Sequence, residues 1–117
     1  MRKLCRVDLE RREALFERLA RYRDLVVQEL APKAIVLFGS LARGDLHEGS
    51  DVDLLVVADF CEPFLDRITR LLALSQETRL PLEPVGYTPA EFEDMRRRGN
   101  PFLEEVLRHG HVLYGRV

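Results

Sequence analysis

The sequence has few of the features that mark membrane, secreted or nucleic-acid-binding proteins. No apolar run approaches the roughly 20 residues of a membrane span, and the N-terminal stretch MRKLCRVDLERRE has no signal-peptide apolar region. Two cysteines in 117 residues are too few for a disulfide framework and fit a reducing cytoplasm. The formal net charge of −2 does not favour general binding to polyanions. We therefore expect a cytoplasmic protein that neither enters a membrane nor binds long nucleic acid directly.

The chain also lacks internal repeats, low-complexity tracts and linkers rich in Pro, Gly or Ser. We predict a single domain over residues 1–117, with an amphipathic N-terminal helix at about 8–30 and a catalytic core at about 33–117. Asp8 is the predicted N-cap of that helix, and Pro32 ends it. The patterns that follow give the order α-β-α-β-α-β-α-α-β. This order predicts an α/β (α+β) fold, in which helices pack on a small mixed sheet of about four strands.

The strands and later helices of this fold carry clear local signals. We predict strands at 34–38, 52–57, 80–87 and 111–114, and helices at 63–77, from Thr88 and from Asn100. Pro81 and Pro84 inside the third strand indicate an edge position, because proline cannot donate a ladder hydrogen bond. Thr88 and Glu91 have the spacing of a capping box, with proline at the first helical position.

A sharp turn with free backbone N–H groups is predicted where the first strand ends at Gly39-Ser40. If a short helix begins at Ser40 or Leu41, its N-terminal N–H groups form a site for phosphate oxygens. Ser40 adds a hydroxyl donor, and Arg43 adds a forked cation within reach of the same anion. Alternatively, Arg43 forms a salt bridge with an acid of the following loop, and Gly39-Ser40 is an ordinary turn.

Two carboxylates enter the second strand together, at Asp51 and Asp53. Side chains at positions i and i+2 of a strand share a face, so both carboxylates project to one side. Hard oxygen ligands in this arrangement suit Mg²⁺ that bridges to a nucleoside triphosphate. A two-metal site also needs a carboxylate on a neighbouring strand, and Glu83 is the one acid within the third strand. The alternative is that these acids are solvated residues at strand ends.

Other phosphate and metal motifs fit less well. Gly39 and Gly44 have the glycine spacing of a P-loop, but Asp45 stands where that motif requires lysine. No G-x-G-x-x-G follows a strand, and the acids of this segment do not have the spacing of a calcium loop. Zinc is not favoured, because the two cysteines are distant from the histidines.

At these residues the sequence resembles the superfamily of nucleotidyltransferases that includes DNA polymerase β, and more closely the minimal nucleotidyltransferases (MNT family). The family signature is Gly-Ser, ten residues, then Asp-x-Asp, which here is Gly39-Ser40 followed by Asp51-Val52-Asp53. Ala42-Arg43-Gly44 and Ser50, immediately before the first Asp, also match the family pattern. The resemblance is specific across residues 34–58 and looser towards the C-terminus. Glu83 departs from the pattern, because many relatives carry Asp there.

The resemblance implies transfer of a nucleoside monophosphate from an NTP, usually ATP, to a hydroxyl, with release of pyrophosphate. Gly39, Ser40, Arg43 and Ser50 would bind the nucleotide. Asp51, Asp53 and Glu83 would be the catalytic carboxylates and would hold Mg²⁺ in a two-metal site. Such transfer depends on positioning and charge neutralisation, which metals, backbone donors and arginine supply.

The small size of the chain leaves little protein to grip an acceptor, which favours a partner that brings the acceptor with it. In the minimal family that partner is a helical HEPN-domain protein, often an RNase toxin, and the nucleotidyltransferase is the antitoxin that adenylylates a toxin tyrosine. We adopt this as the leading hypothesis. One alternative is an antitoxin that neutralises its partner by binding alone. The other is a small-molecule nucleotidyltransferase subunit with an aminoglycoside-like acceptor. The oligomeric state stays open.

Overall fold

The structure, a computed structural model, describes residues 6–44 and 51–117, with side chains from residue 12 onward in the first range. Five helices and four strands follow one another in these ranges. They are α1 (Arg6–Leu30), β1 (Ala34–Phe38), α2 (Gly39–Ala42), β2 (Val52–Val57), α3 (Phe64–Leu74), β3 (Leu82–Tyr87), α4 (Pro89–Arg97), α5 (Pro101–His109) and β4 (His111–Gly115). This is the predicted order. No helix in the described ranges is both long and apolar enough to cross a membrane.

The first helix begins earlier than predicted. α1 starts at Arg6, so the prediction of Asp8 as its N-cap was wrong, and Asp8 lies within the first turn. Phe16 of α1 is 36% exposed, because it lies one residue, about 100° around the helix, from buried Leu15.

The third helix ends earlier than its apolar pattern predicts. α3 stops at Leu74 rather than at residue 77, and Pro63 is its N-cap. The Ser75 hydroxyl donates to the Leu72 carbonyl at 2.7 Å, and the Thr78 hydroxyl donates to the Ser75 carbonyl at 2.8 Å. These bonds to backbone carbonyls compete with the helical pattern, as serine and threonine commonly do at helix ends.

The four strands form one mixed sheet in the order β3-β2-β1-β4. β1 pairs antiparallel with β2 and with β4, whereas β2 pairs parallel with β3. The predicted mixed sheet of four strands is therefore confirmed, and β3 lies at an edge as predicted. β3 begins at Leu82 rather than at residue 80, so Pro84 lies within it and Pro81 precedes it. The parallel pair is possible because α3 supplies the crossover connection between β2 and β3.

A separate apolar core lies on each side of the sheet. One joins α1 and α3 to one face of the central strands and includes Leu19, Tyr22 and Leu71. The other joins α4 and α5 to the opposite face and includes Phe92 and Leu103. Because both faces of β1 and β2 are covered, these strands are continuous apolar runs rather than alternating ones.

A buried arginine ties α3 to β3 and α4. The Arg67 side chain is 8% exposed, and its guanidinium donates to Glu91 at 2.7 Å, to the Gly86 carbonyl at 3.1 Å and to the Glu62 carbonyl at 2.8 Å. Glu91 also accepts from the Thr88 backbone N–H at 2.8 Å, which completes the predicted capping box. One carboxylate therefore caps α4 and neutralises the arginine that fixes the end of β3.

We predict that Arg67→Met lowers the free energy of unfolding by about 3 kcal/mol, because it leaves the Glu62 and Gly86 carbonyls without the donor that Arg67 supplies and removes the buried partner of Glu91. The matched control is Arg70→Met, which removes an arginine of the same helix whose pair with Glu62 is half-exposed. That control should cost less than about 1 kcal/mol. Urea unfolding of the three proteins measures both values, and equal losses would contradict the role given to Arg67.

Candidate active site

The register of the sheet brings the predicted carboxylates together. Asp53 in β2 is paired with Phe38 on one side and with Glu83 of β3 on the other. Paired residues on adjacent strands project to the same face, so Asp53 and Glu83 are neighbours. Asp51 precedes β2 by one residue, and its side chain is within hydrogen-bonding reach of Glu83. The three acids therefore form one cluster at the start of β2 and β3, which we call the acidic cluster.

Mutual repulsion dominates the electrostatics of the acidic cluster. The charges of Asp51 and Asp53 raise the pKa of Glu83 above its usual value. Burial raises the pKa of Asp53, and the charge of Asp51 raises it further, whereas a hydrogen bond from Glu83 and the charge of Arg43 lower it. The charges of the other acids thus oppose ionisation of Glu83 most directly.

The acidic cluster has the chemistry of a Mg²⁺ site, because three carboxylates that repel one another are stabilised by a cation between them. No group of three His, Cys, Asp or Glu side chains within residues 6–44 and 51–117 is, however, arranged so as to hold a metal ion. The donor set thus fits magnesium, but its coordination geometry is not preformed.

Gly39 allows the chain to turn close to Asp53. Its φ is +76°, in the region that favours glycine, and a Cβ at this position would overlap Asp53 Oδ2. The short helix α2 begins here, and Phe38 at its N-cap makes no side-chain hydrogen bond to it. The predicted turn and short helix are therefore present, directly beside the acidic cluster.

The structure describes two of the other predicted nucleotide-binding residues but not the third. Ser40 is half-buried in the first turn of α2, and Arg43 is the exposed C-cap residue whose charge acts on Asp53. Ser50 lies outside the described residues, as do the loop acids Asp45 and Glu48. The roles of these residues in nucleotide binding stay predictions.

A cavity that the sequence analysis missed adjoins the acidic cluster. Its volume is about 410 Å³, and it extends from Asp53 and Glu83 over the β3 edge to α3. The apolar residues that line it are Phe38, Ile68, Leu72, Leu82, Pro84, Val85 and Phe102. The rings of Phe38 and Phe102 meet edge to face, with centroids 5.4 Å apart. No local pattern in the sequence indicated this cavity, because the position of Phe102 depends on how α5 packs.

Two of the histidines have structural contacts instead of a shared site. His111 Nε2 lies 2.8 Å from the Ala42 carbonyl and so links β4 to the last turn of α2. His109 Nε2 lies 3.7 Å from Glu105 on the same helix. His111 therefore supports the short helix that follows Gly39, a contact that no sequence pattern indicated.

We predict that Gly39→Ala destabilises the protein more than Gly44→Ala does. Both glycines have positive φ, so each substitution costs about 1–2 kcal/mol of backbone strain. A Cβ at Gly44 meets nothing within 4 Å, whereas one at Gly39 collides with Asp53. Chemical unfolding measures the loss in the free energy of unfolding for each variant, and the difference between the two losses is the cost of the collision. Equal losses would show that Asp53 does not lie against Gly39.

We predict that Glu83→Gln raises the melting temperature at pH 7 in metal-free buffer, because it removes one charge from the acidic cluster. A carboxyl whose pKa is raised on folding destabilises the fold as pH rises above the ordinary carboxyl pKa. The difference from wild type should therefore vanish below about pH 4. Glu93→Gln, on the exposed side of α4, is the control for the loss of one negative charge. A lower melting temperature for Glu83→Gln at pH 7 would contradict the prediction.

Comparison with known proteins supports one family. A "putative protein adenylyltransferase" of Methanocaldococcus jannaschii is 38% identical over 85 residues, which are 70% of this chain and 78% of the relative. A solved "putative nucleotidyltransferase" of Sulfolobus solfataricus superposes with a TM-score of 0.63 at 17% identity, over 92% of this chain and 86% of that one. A solved "toxin-antitoxin with AMP-PNP" superposes with a TM-score of 0.59 at 22% identity, over 83% of this chain and 73% of that one.

These two solved structures show the same fold, whereas the family rests on sequence. The model of the nucleotidyltransferase domain matches residues 19–107, which include Gly39, Ser40 and all three acids of the acidic cluster. The matched region also holds both strands that carry those acids. The chain therefore belongs to the nucleotidyltransferase domain family, and the protein is a nucleotidyltransferase.

Proposed function

We propose that the protein transfers AMP from ATP, with Mg²⁺, to a tyrosine hydroxyl of a helical HEPN-type toxin and so acts as an antitoxin. The observation that carries this proposal is the position of Asp53, between the Gly39 turn on one side and Glu83 on the other. A phosphate-binding turn, a metal-binding acid and an acid on the next strand are the parts that nucleotidyl transfer requires.

Each part of this arrangement has a role in the proposed reaction. Gly39 and Ser40 would bind the β- and γ-phosphates through backbone N–H groups and the hydroxyl. Arg43 and Ser50 would add donors to the nucleotide. Mg²⁺, held by the three carboxylates of the acidic cluster, would neutralise phosphate charge and lower the pKa of the attacking hydroxyl.

The reaction itself is a substitution at the α-phosphorus. The acceptor oxygen forms a bond to this phosphorus, the bond to the bridging oxygen breaks, and pyrophosphate leaves. Glu83 would accept the proton of the acceptor hydroxyl, because it is the acid on the strand next to Asp53. The AMP then remains on the acceptor as a phosphodiester.

Two comparisons support the choice of a protein acceptor. The M. jannaschii relative is named as a protein adenylyltransferase, and one neighbour with the same fold is a toxin–antitoxin assembly with an ATP analogue. The HEPN-type partner and the tyrosine come from the resemblance to the minimal family.

We predict that the protein labels the product of the adjacent gene when incubated with Mg²⁺ and ATP labelled at the α-phosphate, but not at the γ-phosphate. Asp51→Asn and Asp53→Asn should each lower the labelling at least about 100-fold, because each removes a charged ligand of the phosphate-bridging metal. Asp59→Asn is the matched control, since Asp59 is an exposed aspartate just beyond the other end of β2.

The other outcomes of this experiment separate the alternatives. Neutralisation of the partner that survives both aspartate substitutions, without label, would favour an antitoxin that acts by binding. Label on a small hydroxyl compound and on no protein would favour the small-molecule enzyme. Label from the γ-phosphate would contradict nucleotidyl transfer.

A further inference from the structure

We infer that the cavity beside Glu83 is the acceptor subsite and that Phe102 is its specificity-determining residue, which favours an aromatic over an aliphatic hydroxyl. This inference rests on the proposed function and extends it to residues outside the family signature. It starts from the cavity of about 410 Å³, which opens directly onto Asp53 and Glu83.

The order of the strands determines the side from which the acceptor approaches. Across the sheet, the Gly39-Ser40 turn follows β1, Asp53 lies on β2 and Glu83 lies on β3. In phosphoryl-type transfer the attacking and leaving oxygens are roughly in line on opposite sides of the phosphorus. If pyrophosphate leaves towards Gly39-Ser40, the acceptor oxygen enters from the Glu83 side, where the cavity lies.

The edge position of β3 leaves that side open. No strand in the described parts of the chain pairs with the outer side of β3. The cavity passes around this edge, from the acidic cluster on one face to Ile68 and Leu72 of α3 on the other. A side chain presented by another protein can therefore reach Glu83 without displacing an element of the fold.

The lining of the cavity selects among hydroxyl compounds. Seven of its nine residues are apolar, and the two polar ones are the carboxylates Asp53 and Glu83 at one end. A sugar would bury several hydroxyls against apolar walls, and each unpaired group costs about 1–3 kcal/mol. A serine side chain has too little apolar surface to gain from these walls. A phenol has an apolar body and a single terminal hydroxyl, which matches the arrangement.

Phe102 is the more exposed of the two aromatic residues in the cavity wall. It is 38% exposed at the start of α5 and lies edge to face with Phe38. Aromatic rings attract one another in this geometry by about 0.5–1.5 kcal/mol beyond burial. Because Phe38 is anchored in β1, Phe102 is the side chain that can be removed with the least effect on the sheet.

The test compares Phe102→Ala with Phe64→Ala, using N-acetyltyrosinamide and N-acetylserinamide as acceptors. Phe64 is also 38% exposed and also lies at the start of a helix, but it is outside the cavity. We expect Phe102→Ala to raise the KM for N-acetyltyrosinamide about tenfold, while the KM for ATP changes less than twofold. Phe64→Ala should leave both KM values within twofold of wild type. Mass spectrometry of the AMP ester and release of pyrophosphate are the readouts.

This experiment distinguishes a wrong acceptor subsite from a wrong proposed function. If pyrophosphate release depends on Asp53 but Phe102→Ala behaves like Phe64→Ala, or N-acetylserinamide is preferred, the subsite is wrong and the proposed function stands. If the wild-type protein releases no pyrophosphate with either acceptor or with the partner protein, both are wrong. A selective rise in KM for the tyrosine acceptor supports both.

Discussion

The register of β2 between its two neighbours is the constraint on which the site depends. Val52, Leu54 and Val56 are buried in the core shared with α1 and α3, whereas Leu55 and Val57 are buried on the opposite face. A shift of one residue would turn every side chain of β2 to the other face, and Asp53 would then enter an apolar core. Burying an unpaired carboxylate is far more costly than any contact it could gain. The position of Asp53 beside Gly39 and Glu83 is thus fixed by apolar packing along the whole strand.

The same constraint holds together groups that repel one another. Without a cation, the three acids of the acidic cluster favour separation, and the raised pKa of Glu83 reflects that repulsion. The pKa of Asp53 is raised first by burial and then by the charge of Asp51. Their proximity is maintained because the strands that carry them are covered on both faces. Arg67, which pairs with Glu91, adds a second restraint, because its guanidinium donates to the Gly86 carbonyl near the end of β3. The fold therefore offsets the cost of keeping the acidic cluster assembled.

The sequence was sufficient where local patterns determine the structure. Apolar periodicity predicted the order of the elements, and prolines predicted the edge position of β3. The positions of the acids within the second and third strands predicted that Asp53 and Glu83 lie side by side. It was insufficient where distant segments meet. The contacts of Phe102 with Phe38 and of His111 with the Ala42 carbonyl depend on how α5 and β4 return to the sheet. The predicted start of α1 was wrong because an acid is equally compatible with the N-cap and with the first turn of a helix.

Pro84 of β3 affects both the stability of the sheet edge and the access of other molecules to the site. An edge strand with free N–H and C=O groups recruits further strands, and proline prevents this because it has no N–H to donate. Pro84 lies in β3 itself, one residue after Glu83, and it also lines the cavity. A strand added at this edge would cover the route from solvent to the acidic cluster. Pro84 therefore prevents another strand from pairing with β3 and, by the same effect, keeps the acceptor side of the site open.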